Sequence, residues 1–347
     1  MRQYLMLYGF RSWITFGRPK MVKYIAVLTL MAILALSVTG CSQPPPKPAE
    51  QPKIEPAKTE PPKTEPPPPQ IAPTPPVAPA PPAAPVMAPF NDKCVSILNP
   101  QFIDDKGMVD YNTLKRKRPE LRALLDEFKK LSRNEYNSWP KDDKIAFWLN
   151  AYNLQLLKII ADNYPIQSTR IHRVFWPSSS IRHIRGLWTD YKFLIMDEEF
   201  TLGEIDRRFF RKEFGDPRVF FAVSQASISG PPLRNEPYTG KKLNEQLEDQ
   251  IKKYLSNPVA LNINTEEKTV YLSALFEPSW YGGEFLSKYG TDKKFKDQTP
   301  EVRAILNFIV NYIPAEKASF LEVGNYSVQF VSFDWRVNEQ SPATYSN

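Results

Sequence analysis

The chain has 347 residues, a formal charge of +7 and only two cysteines and two histidines. Five uncompensated basic residues lie in residues 1–40, so the remainder carries +2 and its charge does not favour a nucleic-acid partner. Two histidines are too few for a histidine-rich metal site, and we expect neither a metal nor another cofactor.

An apolar stretch, Tyr24–Leu36, is followed by small residues and Cys41. A lysine, a short apolar core and small residues before a cysteine resemble the lipobox of a bacterial lipoprotein signal peptide. The resemblance implies that residues 1–40 are removed and that Cys41 becomes a diacylated N-terminus, a palmitate-type lipid anchor in the membrane. Met21 is an alternative start to Met1, because it opens a compact signal peptide by itself.

The residue after the anchor cysteine is Ser42, where many proteins retained in the inner membrane have aspartate. This resembles the sorting pattern for the outer membrane. We therefore expect a lipid-anchored envelope protein that faces the periplasm from the outer membrane.

Residues 41–90 form the predicted linker between the anchor and a domain. Pro44–Pro89 holds twenty of the 35 prolines, and its lysines and glutamates balance. Such a segment cannot build a core and is disordered, with polyproline stiffness. At about 3.1 Å per residue it reaches on the order of 140 Å, which suits a tether.

Residues 91–347 are predicted to form one globular domain, rich in aromatic residues. Apolar periodicity and capping residues predict helices over 111–131, 140–163, 201–214, 240–255 and 299–313. Thr201 and Glu204 have the spacing of a capping box. The helix over 140–163 carries an apolar face and is expected to be largely buried.

Alternating or continuous apolar runs predict strands over 192–196, 218–223, 261–264, 269–272 and 326–337. The third and fourth are expected to form a hairpin, and 218–223 to be a central buried strand. The fold class is therefore α+β, with helices packed on a mostly antiparallel sheet of four to six strands.

Several blocks in this domain are similar to domain-of-unknown-function family 547. The similarity is densest over 139–255 and weaker over 96–338. The blocks are Ala146–Asn153, Glu204–Asp206, Asp216–Arg218, Ala226–Leu233 and Phe333–Asn338.

Relatives in that family carry cysteines at the positions of Gln225 and Gly230, and histidines at those of Phe220 and Arg207. The resemblance implies cysteine–histidine chemistry in those relatives, of a papain-like kind and on a distantly papain-like fold. Here each position has lost the reactive group. We therefore expect a binding protein that performs no covalent chemistry.

A hydrolase or transferase acting on cell-wall or polysaccharide material is the alternative. Ser227 or Ser229 would be the nucleophile, with His183 as base and Asp206 or Asp334 orienting it. Serines in a turn of small residues before two prolines are also explained by structure alone. Cys94 is expected to be a buried, unreactive thiol, with an intermolecular bridge or a nucleophile as alternatives.

Two places favour binding. Small residues at 226–230 leave backbone amides for a carboxylate or phosphate, with Gln225 and with Arg218 on the adjacent strand. An arginine there also suits pairing with Asp216 or Asp206.

The second place is a long loop that interleaves cations with indoles, which suits anionic sugars, wall peptides or lipid phosphates. Its members include Arg170, Arg173, Arg182, Arg185, Trp176 and Trp188. A solvated connection is the alternative, and the turn at Trp280 is a candidate lining. The expected partners are the membrane, through the anchor, and a cell-wall, polysaccharide or protein component. A scaffold in an export assembly is a third interpretation.

Overall fold

The computed structural model describes residues 88–168, 176–291 and 294–340, which belong to one compact unit. The predicted signal peptide, Cys41, the proline-rich linker, Arg170 and Arg173 lie outside the described residues. Among the helices of the described ranges, none combines the length and apolar character needed to cross a bilayer.

The described residues form an α+β fold, which confirms the predicted fold class. In chain order the helices are α1 Ala88–Cys94, α2 Tyr111–Arg116, α3 Arg118–Lys130, α4 Arg133–Ser138, α5 Lys141–Asp162, α6 Leu202–Ile205, α7 Leu243–Ser256, α8 Gly283–Tyr289, α9 Pro300–Ile309 and α10 Ala315–Val323. The capping box is present at α6, where Thr201 accepts from the Glu204 backbone and Glu204 accepts from that of Thr201. After α6 the helix widens into a π-helix over Asp206–Phe214 and ends at Gly215, whose φ is 59°.

The strands form two small sheets in the described residues, so the prediction of one sheet with four to six strands is wrong. β1 Phe193–Ile195 pairs with β2 Glu198–Phe200, antiparallel. The predicted hairpin is present as β3 Leu261–Asn264 and β4 Thr269–Ser273. β4 also pairs with β5 Ser327–Val331, and this pairing is parallel.

Helix α5 is the centre of the core. Sixteen of its 22 residues are buried, so the helix is largely buried, as expected, and its enclosure extends beyond the apolar face that is visible in the sequence. Two asparagines on it hold the chain that follows the π-helix. The side-chain amide of Asn153 bonds Ala222 O at 2.9 Å and Ser224 N at 3.0 Å. Asn150 does the same with both backbone groups of Tyr238, at 2.9 Å each.

Residues 218–223 are not the predicted strand. Pro217–Phe221 forms a 3₁₀-helix, in which Asp216 accepts from the Arg218 backbone and Pro217 opens the turn. Burial of the run was predicted correctly, since Val219, Phe220 and Phe221 are at most 1% exposed. A short, fully buried apolar run has no periodicity that separates a strand from a helix, and here the cap and the proline decide.

Two other predicted elements are interrupted. The helix over 111–131 breaks at Lys117, because Pro119 lies in the first turn of α3 and cannot continue a preceding helix. The strand over 326–337 ends at Val331. A separate extended segment follows and lies between two loops: Ile181 N donates to Trp335 O at 3.0 Å, and Ile228 N to Arg336 O at 2.9 Å.

Candidate functional site

Positions where relatives carry reactive groups converge on the ring of Tyr281. Phe220 stacks on this ring with centroids 4.1 Å and planes 7° apart, and Gln225 Nε2 donates to its hydroxyl at 3.4 Å. All three residues are buried, and burial raises the pKa of Tyr281 well above its ordinary value. Arg207, by contrast, is exposed. An inert aromatic stack therefore occupies the space that a thiol and an imidazole would need.

Arg211, which lies on the π-helix, contacts the same Tyr281 ring. Its guanidinium carbon lies 4.8 Å from the Tyr281 ring centroid, and it pairs with Asp206 at 2.8 Å and with Glu284. Burial lowers the pKa of Arg211, but the charge and hydrogen bond of Asp206 raise it more, so the group stays a cation. Arg211 also donates to the backbone oxygen of Trp280 at 3.1 Å, which ties these buried charges to the surface above them.

The two positions where relatives carry cysteine are neighbours. A Cβ on Gly230 would lie 2.9 Å from the Cβ of Gln225 and 3.1 Å from Ser227 Oγ. Disulfide-linked residues have Cβ atoms about 3.5–4.5 Å apart. Any side chain at position 230 therefore requires the turn to shift slightly, and after such a shift cysteines at 225 and 230 could form a disulfide.

The serine and histidine candidates are not arranged as a nucleophile and its base. Ser229 Oγ accepts from the backbone N–H of Asp334 at 3.0 Å, so it holds the C-terminal segment. His183 Nε2 donates to the carbonyl oxygen of Pro177 at 2.8 Å. Ser227 Oγ is buried and has no hydrogen-bond partner in the part of the chain that the structure describes. Asp334 holds Arg336 in a bidentate pair, which engages one of the two acids expected to orient the histidine.

A cleft of about 380 Å³ adjoins the 226–232 turn. Its walls include Gly107, Ser227, Pro231, Lys253 and Asn338. The backbone amides of the turn do not face it as free donors, contrary to the sequence expectation: those of Ile228, Ser229 and Gly230 donate to Arg336, Asp334 and Ser227.

Arg218 is not on a strand beside this turn. It lies on the 3₁₀-helix and makes a bidentate pair with Asp216, while its Nη2 also donates to Asn244 at 2.9 Å. Asp216 is one of the two acids that the sequence suggested as its partner. Arg218 thus has a structural role in the described contacts, and nothing there brings it to Gln225.

Cys94 is fully buried, and burial raises its pKa to about 12, so the thiol stays protonated at neutral pH. The described residues contain no group of three His, Cys, Asp or Glu side chains that could hold a metal ion.

The indole-rich loop, in contrast, meets two other parts of the chain. We call the result the aromatic–basic surface; it consists of Trp176, Arg182, Trp188, Trp280, Phe333 and Trp335. The Trp335 ring lies at its centre, with centroid distances of 6.0 Å to Trp188, 5.3 Å to Trp280 and 4.5 Å to Phe333. Each ring is partly exposed. The rings meet edge to face or tilted, as aromatic pairs prefer.

Arg182 is the cation of this surface. Its guanidinium carbon lies 4.7 Å from the Trp335 ring centroid and 5.5 Å from that of Trp176. Desolvation lowers its pKa, and in the described ranges no acidic side chain pairs with it. Arg185, three residues on, is exposed, without an ion pair or ring contact among the described residues.

The backbone fixes Arg182 against Trp335. Ser180 Oγ accepts from Arg182 N at 3.2 Å, Ile181 N donates to Trp335 O, and Val337 N donates to Ser179 O, both at 3.0 Å. These bonds hold the backbone of Arg182 beside that of Trp335, so the two side chains extend from neighbouring positions.

Sequence reasoning named Trp176, Arg182, Arg185 and Trp188 from one loop and the Trp280 turn as a possible lining. It did not place Trp335 and Phe333 with this loop, because they follow the loop by more than 140 residues in the chain. It also missed Arg211, because the periodicity of an amphipathic helix does not predict a contact with Glu284, 73 residues further on.

Residues 136–255 match the model of a family described as "Protein of unknown function, DUF547". This span contains the region in which the sequence resemblance is densest, and the family prediction is confirmed. No curated protein and no solved structure matches the chain.

Proposed function

We propose that this chain, a member of family DUF547, is a lipid-anchored lipoprotein of the bacterial envelope whose domain binds an envelope component or a partner protein. In this proposal Cys41 carries the anchor, the proline-rich segment spaces the domain from the outer membrane, and the domain performs no covalent chemistry. The observation that carries the binding role is Arg182, a cation held over two indoles with no acid partner in the described residues.

Arg182 is exposed at the surface, and the indoles beside it desolvate part of its guanidinium, at a small cost in hydration. Cation–π contacts with Trp335 and Trp176 offset part of that cost, and an anionic ligand would offset the remainder. The described arginines deeper in the domain behave differently, since Arg211 and Arg218 each hold a carboxylate. A cation left open at the surface, among partly exposed rings, fits a recognition site.

The Tyr281 ring supports a role in recognition over one in reaction. Phe220, Gln225 and Arg211 fill the space around it with groups that cannot act as a nucleophile or exchange protons at neutral pH. Arg211 holds the backbone of Trp280, so this packed interior positions one ring of the aromatic–basic surface. The described geometry gives the serine candidates no matching support.

Binding to native envelope fractions tests the proposal. The full chain, purified in detergent, is incubated with isolated sacculi and with outer-membrane fractions, and the bound share is measured after sedimentation. Arg182→Ala should reduce binding about tenfold, because it removes a charge-assisted contact. Arg185→Ala removes the same charge from the same loop and should change binding less than about threefold.

Equal loss in the two variants would mean that general charge, and not the surface, drives binding. No binding by the unmodified chain to any fraction would reject the proposed binding role.

The anchor has its own test: labelled palmitate should be incorporated by the chain and not by Cys41→Ser. Incorporation by both would place the lipid elsewhere.

A further inference from the structure

We infer that the aromatic–basic surface takes an acidic polysaccharide, a glycan chain that carries carboxylate groups along its sugar rings. This inference rests on the proposed function and names the ligand class of the same surface. It follows from the shape of the surface, the chemistry of its rings and the number of its charges.

The surface is suited to a ligand that lies along it. Neither the 380 Å³ cleft nor the smaller one of about 200 Å³ is lined by any of its six residues. An acyl chain or an anchoring apolar side chain needs a concave apolar pocket to leave water. The rings of this surface are partly exposed and lie outside both of these clefts, which favours a ligand that stacks on them.

Sugar rings have the matching chemistry. The face of an indole is electron-rich, and the C–H bonds on one face of a sugar ring carry partial positive charge. The Trp188 and Trp280 rings lie 6.0 and 5.3 Å from Trp335, at interplanar angles of 72° and 74°, so a glycan that stacks on one indole face would also meet the edge of a second indole. A polyanion without sugar rings would contact only the charge of Arg182 and would gain nothing from the indole faces.

The charge favours carboxylate over phosphate. Among the described residues, Arg182 is the cation seated on these rings, and a carboxylate brings a single charge in a planar shape that matches the guanidinium fork. A phosphate monoester brings about −1.5 to −2 at neutral pH and would favour a second seated cation. Arg336, the other cation in the adjoining segment, is already paired with Asp334 at 2.5 Å.

The experiment is a titration of the full chain in detergent, followed by tryptophan fluorescence, with three matched polymers. Polygalacturonate supplies rings and carboxylates, its methyl ester keeps the rings without the charge, and polyglutamate keeps the charge without the rings. We expect polygalacturonate to bind at least tenfold more tightly than either control polymer. Arg182→Ala should weaken that binding about tenfold, and Arg182→Lys should be intermediate, because lysine keeps the charge and loses the planar fork.

Equal binding of the ester or of polyglutamate would overturn the inference, as would unchanged binding by Arg182→Ala at an unchanged melting temperature. Preferential binding of sn-glycerol 3-phosphate would overturn it in favour of a lipid headgroup.

The envelope-binding role and the ligand class can fail separately. If native envelope fractions bind through Arg182 but polygalacturonate does not, the ligand class is wrong and the binding role stands. If polygalacturonate binds and no envelope fraction does, the envelope role is wrong.

Discussion

The ring of Phe220 lies parallel to the ring of Tyr281, and Arg211 lies against both, 5.4 Å from the first centroid and 4.8 Å from the second. The position at which the family resemblance implies a histidine thus carries an apolar ring, stacked on a phenol, with one cation against both rings.

The first prediction concerns the stacked ring of Phe220. Phe220→Ala should lower the free energy of unfolding by about 3–5 kcal/mol, because it removes a fully buried ring and leaves a cavity. Phe220→Leu fills most of the space and should cost clearly less. Urea denaturation followed by circular dichroism measures both. A loss below about 1 kcal/mol for the alanine variant would show that the stack is not part of the packed core.

The second prediction concerns the amide of Asn153, which is 2% exposed. Asn153→Ala leaves Ala222 O and Ser224 N without their side-chain partner, and each buried unsatisfied group costs about 1–3 kcal/mol. We expect a total loss of about 3 kcal/mol in urea. Asn311→Ala removes an amide from an exposed helix end and should stay within about 0.5 kcal/mol of the unmodified protein. Equal effects of the two substitutions would contradict the assigned role.

A third prediction uses the neighbouring positions 225 and 230. The double variant Gln225→Cys with Gly230→Cys should form an intramolecular disulfide under mild oxidation, since the Cβ atoms need to separate by only about 0.6–1.6 Å from the built distance. Mass spectrometry after alkylation counts the free thiols. Each single variant should keep its new thiol free, and two alkylated thiols in the oxidised double variant would disprove the proximity.

The fourth prediction is a pH dependence at Asp216. Burial raises the pKa of this carboxyl, but the hydrogen bonds and charge of Arg218 lower it more, so the folded value lies below 3.8. As the pH falls, Asp216 therefore becomes protonated at a higher pH in the unfolded chain than in the folded protein. The pair therefore stabilises the fold fully above about pH 4, and its contribution is lost as the pH falls through the folded pKa.

Asp216→Asn keeps the cap on Arg218 N and removes the charge. At pH 7 this variant should be less stable than the unmodified protein, and the difference should shrink towards pH 3. Urea midpoints at the two pH values measure the change. A difference that is constant with pH would show that the charge of Asp216 contributes nothing.

The sequence predicted the elements whose signals are local. The capping box of Thr201 and Glu204 and the hairpin of β3 and β4 depend on neighbouring residues and are present. The run 218–223 has no such signal. Its burial could be predicted, but its 3₁₀ form depends on Asp216 capping and on ring partners that come from α7 to α9.

The same distinction applies to the candidate site. Arg182 and Trp176 share one loop, so their interleaving is visible in the sequence. The stack of Phe220 on Tyr281 joins residues 61 positions apart, and no periodicity reports such a contact. Resemblance to the family marked position 220 as altered, and only the fold shows what the altered ring contacts.

The segment Asp334–Asn338 has a consequence for biogenesis. It pairs on one side with residues 179–181 and on the other with 226–229, and Asn338 also holds Tyr111 and Gly107 near the start of the domain. These early loops cannot complete their pairing until residues 334–338 have been synthesised. Loops that lie more than 100 residues before this segment in the chain therefore become ordered in one late step, when the segment pairs with them.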